Sequence, residues 1–245
     1  FEFMRKEVLA LDLKLNDKVA VVTGSAGGLG FAVAQKLAEE KARVALLDIK
    51  ADELQTATKN IKKISGRSEG FVVDLTDFAA VKETYNNIID CFEKVDILVN
   101  CAGGGPGFQK QMKDITCSEW DRIVNINLNS VFNTCKIMSN GMLTNQWGRI
   151  INFSSVAALR GGGLLGKVAY ASSKAGVIGL TKALAREFGS CNVPVNAIAP
   201  SLHMTPLTSI LTDTQVKMIK DSFPLKRVGD PDGLGALVCY LASDY

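Results

Sequence analysis

Two side chains suited to acid–base chemistry, Tyr170 and Lys174, stand four residues apart among helix-forming residues. Residues four apart share one face of an α-helix, so the lysine ammonium would lie on the same side as the phenol. A phenol with a pKa of about 10 is a poor base at neutral pH, but a neighbouring positive charge stabilises the phenolate. The spacing predicts a tyrosine that exchanges a proton with a bound substrate, assisted by the lysine.

A cluster of glycines far upstream predicts a site for a nucleotide phosphate. The segment 23–30 reads Thr-Gly-Ser-Ala-Gly-Gly-Leu-Gly and lies between a predicted strand and a predicted helix. Glycine permits the tight turn and the close approach of backbone to a pyrophosphate, and the helix N-terminus offers free N–H groups. We expect a dinucleotide to contact the residues Gly24, Gly28, Leu29 and Gly30.

An acidic residue at the end of the second predicted strand bears on the choice of dinucleotide. Asp48 follows Gly30 by 18 residues, where a carboxylate can accept both ribose hydroxyls and repels a 2′-phosphate. Ile49 occupies the place where a phosphate-binding arginine could stand. We therefore expect NAD(H) rather than NADP(H), although the adjacent Lys50 would weaken the preference. The alternative is that Asp48 only caps the next helix or faces solvent.

Strand and helix patterns alternate along the chain, which predicts an α/β fold. Repeated strand–helix units with buried apolar strands imply one doubly wound parallel sheet, a Rossmann fold with helices on both faces, in a single domain. The predicted strands are 18–23, 43–47, 70–73, 95–100, 149–153 and 193–198. The predicted helices are 31–40, 51–64, 79–92, 118–143 (with Ser118 as the cap) and 170–188.

Composition excludes several other classes of function. A net charge of +3 on 245 residues is too small to indicate a nucleic-acid partner or an anionic membrane surface. The chain contains no apolar run of about 20 residues, so we expect no membrane span. Six scattered cysteines and one histidine do not predict a metal site, and the large core requires no disulfides, which favours a reducing, cytoplasmic location.

Several further motifs occur in a recognisable order, and with them the chain resembles the short-chain dehydrogenase/reductase family from about residue 15 to residue 245. The glycine motif of that family corresponds to Thr23–Gly30. Its catalytic serine corresponds to Ser155 in Asn-Phe-Ser-Ser, and its Tyr-x-x-x-Lys motif to Tyr170 and Lys174. The other matching segments are Asp74-Leu75, Asn100-Cys101-Ala102-Gly103, Ile126-Asn127-Leu128 and Pro200-Ser201-Leu202-His203-Met204-Thr205.

The resemblance implies a role for each of these positions. Ser155 would hydrogen-bond the substrate oxygen, Tyr170 would transfer the proton, and Lys174 would also hold the ribose hydroxyls of the coenzyme. Asn127 would hold a water that connects Lys174 to solvent. The remaining coenzyme contacts implied by the resemblance are Asp74 and Leu75 at the adenine, Asn100, Ala102 and Gly103 after the fourth strand, and Pro200, His203 and Thr205 around the nicotinamide.

The chain departs from the family pattern in three places. The interval from Ser155 to Tyr170 is longer than usual, so Ser154 is a rival for the serine role, and a glycine-rich stretch could loop out. Cys101 stands where the family has a second asparagine. The resemblance also predicts a further strand after Tyr245, so we expect residues 15–245 to form a catalytic domain that stops short of it, behind an extension at 1–14.

The expected substrate is a lipophilic secondary alcohol or ketone, oxidised or reduced with NAD(H). Alternatives are an NADPH-dependent 3-oxoacyl carrier-protein reductase and, in a different class, a non-catalytic nucleotide sensor or scaffold. The resemblance implies a homodimer or homotetramer. The expected substrate lining is apolar, without an arginine that would hold a carboxylate or phosphate, and consists of Leu202, Met204, Leu207, Ile210, Leu211 and Met218, with 104–108, Leu159 and Leu164 opposite.

Overall fold

A computed structural model describes residues 11–105, 107–163, 166–205, 208–209 and 211–245. Its six described strands form one sheet in the order β3-β2-β1-β4-β5-β6, and every pair is parallel. The predicted fold class, a single-domain doubly wound sheet, is confirmed. The strands are β1 (Val19–Thr23), β2 (Arg43–Asp48), β3 (Ser68–Val72), β4 (Ile97–Asn100), β5 (Arg149–Phe153) and β6 (Val195–Ile198).

Helices connect the strands and cover both faces of the sheet. All five predicted helices occur, with ends that differ by a few residues from the predicted ones. The helices are α1 (Gly28–Glu39), α2 (Ala51–Ser65), α3 (Phe78–Phe92), α4 (Cys117–Val124), α5 (Ser130–Thr144), α6 (Val156–Arg160), α7 (Val168–Phe188), α8 (Asp213–Ser222) and α9 (Pro231–Ala242).

The core lies in two apolar layers separated by the sheet. Alternate residues of a strand point to opposite faces, so Ala20 and Val22 pack with α1, α2 and α9, whereas Val19 and Val21 pack with α3, α5 and α7. All four side chains are fully buried. Leu15 is also buried in the first layer, close to the predicted boundary at residue 14, which itself stays a prediction.

The long helix predicted over 118–143 is interrupted. α4 leads into a π-helical turn at Asn125–Asn129, and α5 continues from it. The cap predicted at Ser118 is wrong, because the cap is Thr116. The Thr116 hydroxyl accepts a hydrogen bond from the backbone N–H of Glu119 at 3.2 Å, and the Glu119 carboxylate accepts one from the Thr116 N–H at 3.1 Å, which together form a capping box.

Three helices were not predicted, although two of them carry sequence signals. A second capping box, between Thr212 and Gln215, begins α8. Asp230 caps α9, whose first residue is Pro231, and both residue types favour a helix start. The third, α6, has only five residues and is too short for an apolar period to be visible.

The order of the strands determines where a ligand can bind. β2 and β3 extend to one side of β1, whereas β4, β5 and β6 extend to the other. The loops that leave the carboxyl ends of β1 and β4 therefore diverge and open a crevice between them. In open α/β sheets ligands bind at this point of reversal.

Candidate active site

A cleft of about 1550 Å³ lies across the carboxyl ends of the strands. The sequence-predicted residues that it brings together include the pair Tyr170 and Lys174, which lie on α7, and Ser155, which follows β5. The other predicted residues lining the cleft are Gly24, Gly28, Leu29, Gly30, Asp48, Ile49, Asp74, Leu75, Ala102, Gly103, Pro200, His203 and Thr205. Two predicted residues, Asn100 and Asn127, do not line it.

The glycine loop is packed so tightly at Gly24 and Gly30 that neither position has room for a side chain. Gly24 has a φ of +66°, and a Cβ placed there would lie 2.8 Å from the Cα of Ala102. A Cβ on Gly30 would lie 2.2 Å from the carbonyl oxygen of Gly24. Gly30 is already in the first turn of α1, so the loop brings its own backbone against the helix start. The space left in front of the loop fits a pyrophosphate held by backbone N–H groups.

The Asp48 carboxylate is fixed by the backbone at the end of β2. One oxygen accepts a hydrogen bond from the N–H of Ala26 at 3.0 Å, and the other accepts one from the N–H of Lys50 at 3.1 Å. Lys50 itself faces Glu53, with 3.6 Å between the ammonium and the carboxylate. Each Asp48 oxygen retains a lone pair toward the cleft, as a reader of ribose hydroxyls requires.

Three further residues that were predicted to contact the coenzyme, Ile49, Asp74 and Leu75, lie beside Asp48. The side chain of Ile49 is 63% exposed, which leaves an apolar surface open to the cleft. Asp74 is held in a turn, because its Oδ1 accepts hydrogen bonds from the N–H and the hydroxyl of Thr76 at 2.9 and 2.7 Å. Leu75 is nearly buried next to it. Together these residues form the wall at the end of the cleft that is remote from Tyr170.

Asn100 is turned away from the cleft, in contrast to the prediction that it contacts the coenzyme. Its side chain is buried and donates to the Oδ1 of Asn152 at 2.8 Å, while its Oδ1 accepts from the Thr134 hydroxyl at 2.7 Å. Asn152 in turn donates to the Thr181 hydroxyl at 3.0 Å. This buried chain of hydrogen bonds joins β4 and β5 to α5 and α7. Asn100 therefore stabilises the packing of the elements that carry the site.

Lys174 is buried at the centre of the site. Its ammonium donates a hydrogen bond to the carbonyl oxygen of Phe153 at 2.7 Å. Its own carbonyl oxygen accepts one from the Ser154 hydroxyl at 2.8 Å. Burial lowers the pKa of Lys174 to about 8, and the nearby thiol of Cys101 opposes this shift. The Ser154 hydroxyl is therefore committed to α7, which leaves Ser155 as the serine available to a substrate.

The side chains of Tyr170 and Ser155 both line the cleft, and they lie close enough for Ser155 to affect the pKa of Tyr170. Burial raises the pKa of Tyr170 above its ordinary value, and the nearby Ser155 hydroxyl only partly opposes the rise. The predicted lowering of this pKa by Lys174 together with a positively charged nicotinamide stays a prediction. The Tyr170 ring is positioned by Phe108, with ring centroids 5.7 Å apart, and by Gly166, where a Cβ would lie 2.5 Å from the ring.

Asn127 lies in the π-helical turn and is completely buried. Its Oδ1 accepts a hydrogen bond from the N–H of Gly104 at 2.7 Å, and its Nδ2 donates to the carbonyls of Gly104 and Ile123 at 2.8 and 2.9 Å. Both amide protons are thus used by the backbone. A Cβ on Gly103 would lie 2.8 Å from the Asn127 Oδ1 and 3.0 Å from the Lys174 ammonium, so Asn127 holds the loop that passes Lys174.

The cysteine that replaces the family's second asparagine faces the cleft. Cys101 lines it beside Lys174, and burial raises the pKa of its thiol, so the group stays protonated and unreactive at neutral pH. The packing of this loop does not depend on the missing amide. Instead, the Thr23 hydroxyl accepts a hydrogen bond from the Ala102 N–H at 3.1 Å and ties the loop to β1.

The segment after β6 crosses over the cleft. The carbonyl of Pro200 accepts a hydrogen bond from the N–H of Val156 at 3.0 Å, which joins the segment to α6. The His203 ring lies 3.0 Å from the Ser201 carbonyl through Nδ1 and packs on Gly229, where a Cβ would lie 2.2 Å from Nε2. The backbone N–H of Thr205 donates to the Thr208 hydroxyl at 2.9 Å, which closes the turn.

The predicted apolar substrate lining is partly realised. Gly105, Phe108, Leu202 and Met218 line the cleft, whereas Gly104, Gly107, Leu159, Met204 and Leu211 do not. The predicted residues Pro106, Leu164, Leu207 and Ile210 lie outside the described residues.

Sequence reasoning missed several residues at the substrate end. α8 contributes apolar and small side chains, and α6 contributes Arg160 at its last position. α4 contributes a polar face whose helical spacing could have been read from the sequence. The missed residues on these three elements, together with Asn125 in the π-helical turn and Phe223 just after α8, are Ser118, Asp121, Arg122, Asn125, Val156, Ala157, Arg160, Ile219, Ser222 and Phe223.

The described part of the chain contains neither a cluster of side chains suited to a metal ion nor a helix suited to a membrane. Within it, no group of three or more His, Cys, Asp or Glu side chains is arranged to hold a metal ion. Over the same residues, no helix combines the length and apolar character that crossing a membrane requires.

Comparison with known proteins identifies the family. Residues 18–216 match the family model for short chain dehydrogenase. The chain is 34% identical to a 3-oxoacyl carrier-protein reductase of Thermotoga maritima, over 95% of this chain and 93% of that protein. It is also 34% identical to the (2S)-[(R)-hydroxy(phenyl)methyl]succinyl-CoA dehydrogenase subunit BbsD of Thauera aromatica, over 94% and 91% of the two chains.

A solved structure agrees with this assignment. The crystal structure of an NAD⁺-bound xylitol dehydrogenase superimposes with a TM-score of 0.86 at 31% identity, covering 94% of each chain. The chain therefore belongs to the short-chain dehydrogenase/reductase family, as its motifs predict. Members of this family are oxidoreductases that bind a nicotinamide coenzyme.

Proposed function

We propose that this protein transfers a hydride between NAD(H) and a secondary alcohol or ketone, preferably a lipophilic one. The observation that carries the proposal is that Ser155, Tyr170 and the buried Lys174 line one cleft, which also has apolar lining residues. A hydroxyl donor, a proton-exchanging phenol and a cation in one place are the groups that carbonyl reduction requires.

The bound coenzyme would supply or accept the hydride. Its pyrophosphate would lie against the loop Gly24–Gly30, where the backbone packs too closely for a side chain at Gly24 or Gly30. Asp48 and Lys174 would each bind ribose hydroxyls, one at either end of the cleft. The segment from Pro200 to Thr205 would cover the nicotinamide.

The protein's own groups would handle the proton. Ser155 hydrogen-bonds the substrate oxygen and stabilises the charge that develops on it. Tyr170 gives its proton to that oxygen during reduction and takes it back during oxidation. In the protein alone burial keeps the phenol protonated, which suits the reductive direction. A positive nicotinamide nearby would lower this pKa for the oxidative direction.

Asn127 would act through position rather than by contact with the substrate. Its side-chain amide protons are used by Gly104 and Ile123, so it fixes the loop in front of Lys174. We propose that the water expected at this place, which would connect Lys174 to solvent, is held by other acceptors near the π-helical turn, and not by the Asn127 side-chain amide.

Asp48 supports the choice of NAD(H). The backbone holds its carboxylate at the end of β2, where a 2′-phosphate would meet a fixed negative charge. The xylitol dehydrogenase of similar structure is described as NAD⁺-bound. Because several relatives are named 3-oxoacyl carrier-protein reductases, the NADPH-dependent reduction of such a thioester is the second candidate function.

The preference for a lipophilic substrate rests on the lining of the cleft. Phe108, Leu202, Met218 and Phe223 contribute apolar surface to the cleft, and Phe108 packs against Tyr170. The relative from Thauera aromatica has a name that includes a hydroxy(phenyl)methyl group, which is a secondary alcohol bearing an aromatic ring. We further propose that the protein acts as a cytoplasmic homodimer or homotetramer, as family membership suggests.

The proposal is tested by following the absorbance of reduced nicotinamide. NAD⁺ and NADP⁺ are each offered with a panel of secondary alcohols, and NADH and NADPH with the matching ketones and a 3-oxoacyl thioester. Turnover with NAD(H) and small lipophilic substrates is expected. Turnover only with NADPH and the thioester would establish the second candidate. Coenzyme binding without any turnover would favour a sensor or scaffold role.

A further inference from the structure

The short helix α6 carries a charged side chain at the end opposite to Ser155. Ser155 caps the helix, Arg160 is its last residue, and Gly161, with a φ of +75°, terminates it. Since an α-helix rises about 1.5 Å per residue, the Cα atoms of Ser155 and Arg160 lie about 7.5 Å apart along the axis. Both residues line the cleft. The Ser155 hydroxyl, which is proposed to bind the substrate oxygen, and the Arg160 guanidinium therefore lie at the two ends of the same short helix.

The Arg160 guanidinium is exposed and not used by the protein itself. Within the part of the chain that the structure describes, no residue forms a hydrogen bond or ion pair with it. The other cations of the cleft are engaged: Lys50 faces Glu53, Lys174 binds the Phe153 carbonyl, and Arg122 has an interaction of its own. Arg160 thus keeps its donors for a ligand.

The surrounding charges and surfaces define what this ligand looks like. The polar face of α4 carries Asp121 and Arg122, whose opposite charges balance. Apart from Lys174 beside Tyr170, Arg160 therefore carries the unbalanced charge at the substrate end. α8 lines the opposite wall with Met218 and Ile219, both apolar. A ligand that satisfies both features has an apolar chain and an anionic group.

We propose that Arg160 selects substrates that carry an anionic oxygen group, a carboxylate or a phosphate ester, on the chain attached to the reacting carbonyl. The planar guanidinium offers parallel N–H donors that match either group in a bidentate manner. The inference rests on the proposed function and narrows its substrate class. It also revises the expectation from sequence that no arginine is available to bind an anion.

The test uses methyl ketones of increasing chain length that end in a carboxylate, each paired with its methyl ester. A second series ends in a phosphate monoester, each paired with its alcohol. We compare the wild type with Arg160→Gln, Arg160→Lys and, as a control, Arg186→Gln, which removes an exposed arginine of α7 outside the cleft. The readout is kcat/KM for each ketone with a saturating reduced coenzyme.

We expect the wild type to favour the anionic member of at least one pair by about tenfold, since a charge-assisted hydrogen bond contributes about that much. The preference should peak at one chain length, because Ser155 and Arg160 are held at a fixed separation. Arg160→Gln should abolish it, Arg160→Lys should retain part of it, and Arg186→Gln should leave it unchanged. The series that shows the preference identifies the anion as carboxylate or phosphate.

Equal rates for charged and neutral members in the wild type, or a preference that survives Arg160→Gln, would overturn the inference while leaving the proposed function intact. If no ketone is reduced, the proposed function fails, and calorimetry decides the inference separately. Titration of the keto acids and keto phosphates into protein saturated with NADH should then show binding that weakens about tenfold in Arg160→Gln. Absence of binding, or equal binding by the wild type and Arg160→Gln, would reject the inference about Arg160.

Discussion

The carboxylate of Asp48 accepts a hydrogen bond from the backbone N–H of Ala26 at 3.0 Å. This contact joins the end of β2 to the middle of the glycine loop, two elements that a coenzyme has to bridge. The N–H of Lys50 binds the second oxygen at 3.1 Å, so the carboxylate cannot rotate freely. The negative charge is thus held at one place before any ligand arrives, as preorganised recognition requires.

Replacing Asp48 should change the coenzyme preference. Asp48→Ala removes the ribose acceptors and the charge that repels a 2′-phosphate, so the ratio of kcat/KM for NAD⁺ over NADP⁺ should fall by about 10- to 100-fold. Asp90→Ala, which removes an exposed carboxylate of α3 outside the cleft, should leave the ratio unchanged. Equal ratios in the wild type and Asp48→Ala would show that a group other than Asp48 determines the choice between NAD⁺ and NADP⁺.

Two glycine-to-alanine substitutions should have opposite effects. In Gly30→Ala the new Cβ would lie 2.2 Å from the Gly24 carbonyl oxygen, so the loop has to move, which destabilises the fold by about 1–3 kcal/mol and weakens coenzyme binding. Gly179 lies in the exposed interior of α7 with no atom within 4 Å of an added Cβ. Gly179→Ala should therefore stabilise the protein by up to about 1 kcal/mol.

Chemical denaturation and coenzyme titration measure both effects. The two variants add the same methyl group, so a difference between them reports only the surroundings of each position. A Gly30→Ala protein with wild-type stability and wild-type coenzyme affinity would refute the close packing of the loop.

Removing the Tyr170 hydroxyl should abolish catalysis but not coenzyme binding. Tyr170→Phe keeps the ring against Phe108 and eliminates the proton donor, so kcat should fall by at least about 100-fold. Tyr85→Phe removes a half-buried hydroxyl of α3 outside the cleft and serves as the matched control. Fluorescence titration with NADH checks that both variants still bind coenzyme. Normal turnover by Tyr170→Phe would eliminate this tyrosine as the proton donor.

The titration of Tyr170 should depend on the coenzyme. Burial raises its pKa, so without coenzyme the phenolate should appear only above pH of about 10. Adding NAD⁺ should lower the midpoint, because a positive charge favours the phenolate. The measurement is the difference in tyrosinate absorbance between wild type and Tyr170→Phe across alkaline pH.

The same shift gives the sign of the pH dependence of turnover. A protonated phenol is the donor for reduction, so reduction should persist through neutral pH and decline as the phenol ionises. Oxidation needs the phenolate and should rise with pH. A midpoint below pH of about 10 in the coenzyme-free protein would contradict the effect of burial on this residue.

The sequence allowed the sheet and the main motifs to be predicted, because buried parallel strands form continuous apolar runs and glycines mark the turns. The residues of β1 and β5 and the positions of Tyr170 and Lys174 on one helix follow from local patterns alone. Two of the three missed helices also had local signals, the capping box at Thr212 and the Asp-Pro pair at Asp230.

Other features depend on packing between distant segments and were not accessible from the sequence. The side chain of Asn100 faces the interior because it finds a partner in Asn152 on the neighbouring strand. The direction of the pKa shift of Tyr170 depends on how deeply the ring is buried. The place of Arg160 in the cleft depends on a helix of five residues that no periodic pattern reveals.

The π-helical turn at Asn125–Asn129 gives the long helix two differently oriented halves. A π turn contains about one residue more than an α turn, so α5 is rotated by about 100° relative to a regular continuation of α4. Deleting one residue, such as the exposed Asn129, would restore the regular helix and carry Asn127 away from Gly104. The extra residue in the π-helical turn therefore allows α4 to face the cleft while α5 packs on the sheet.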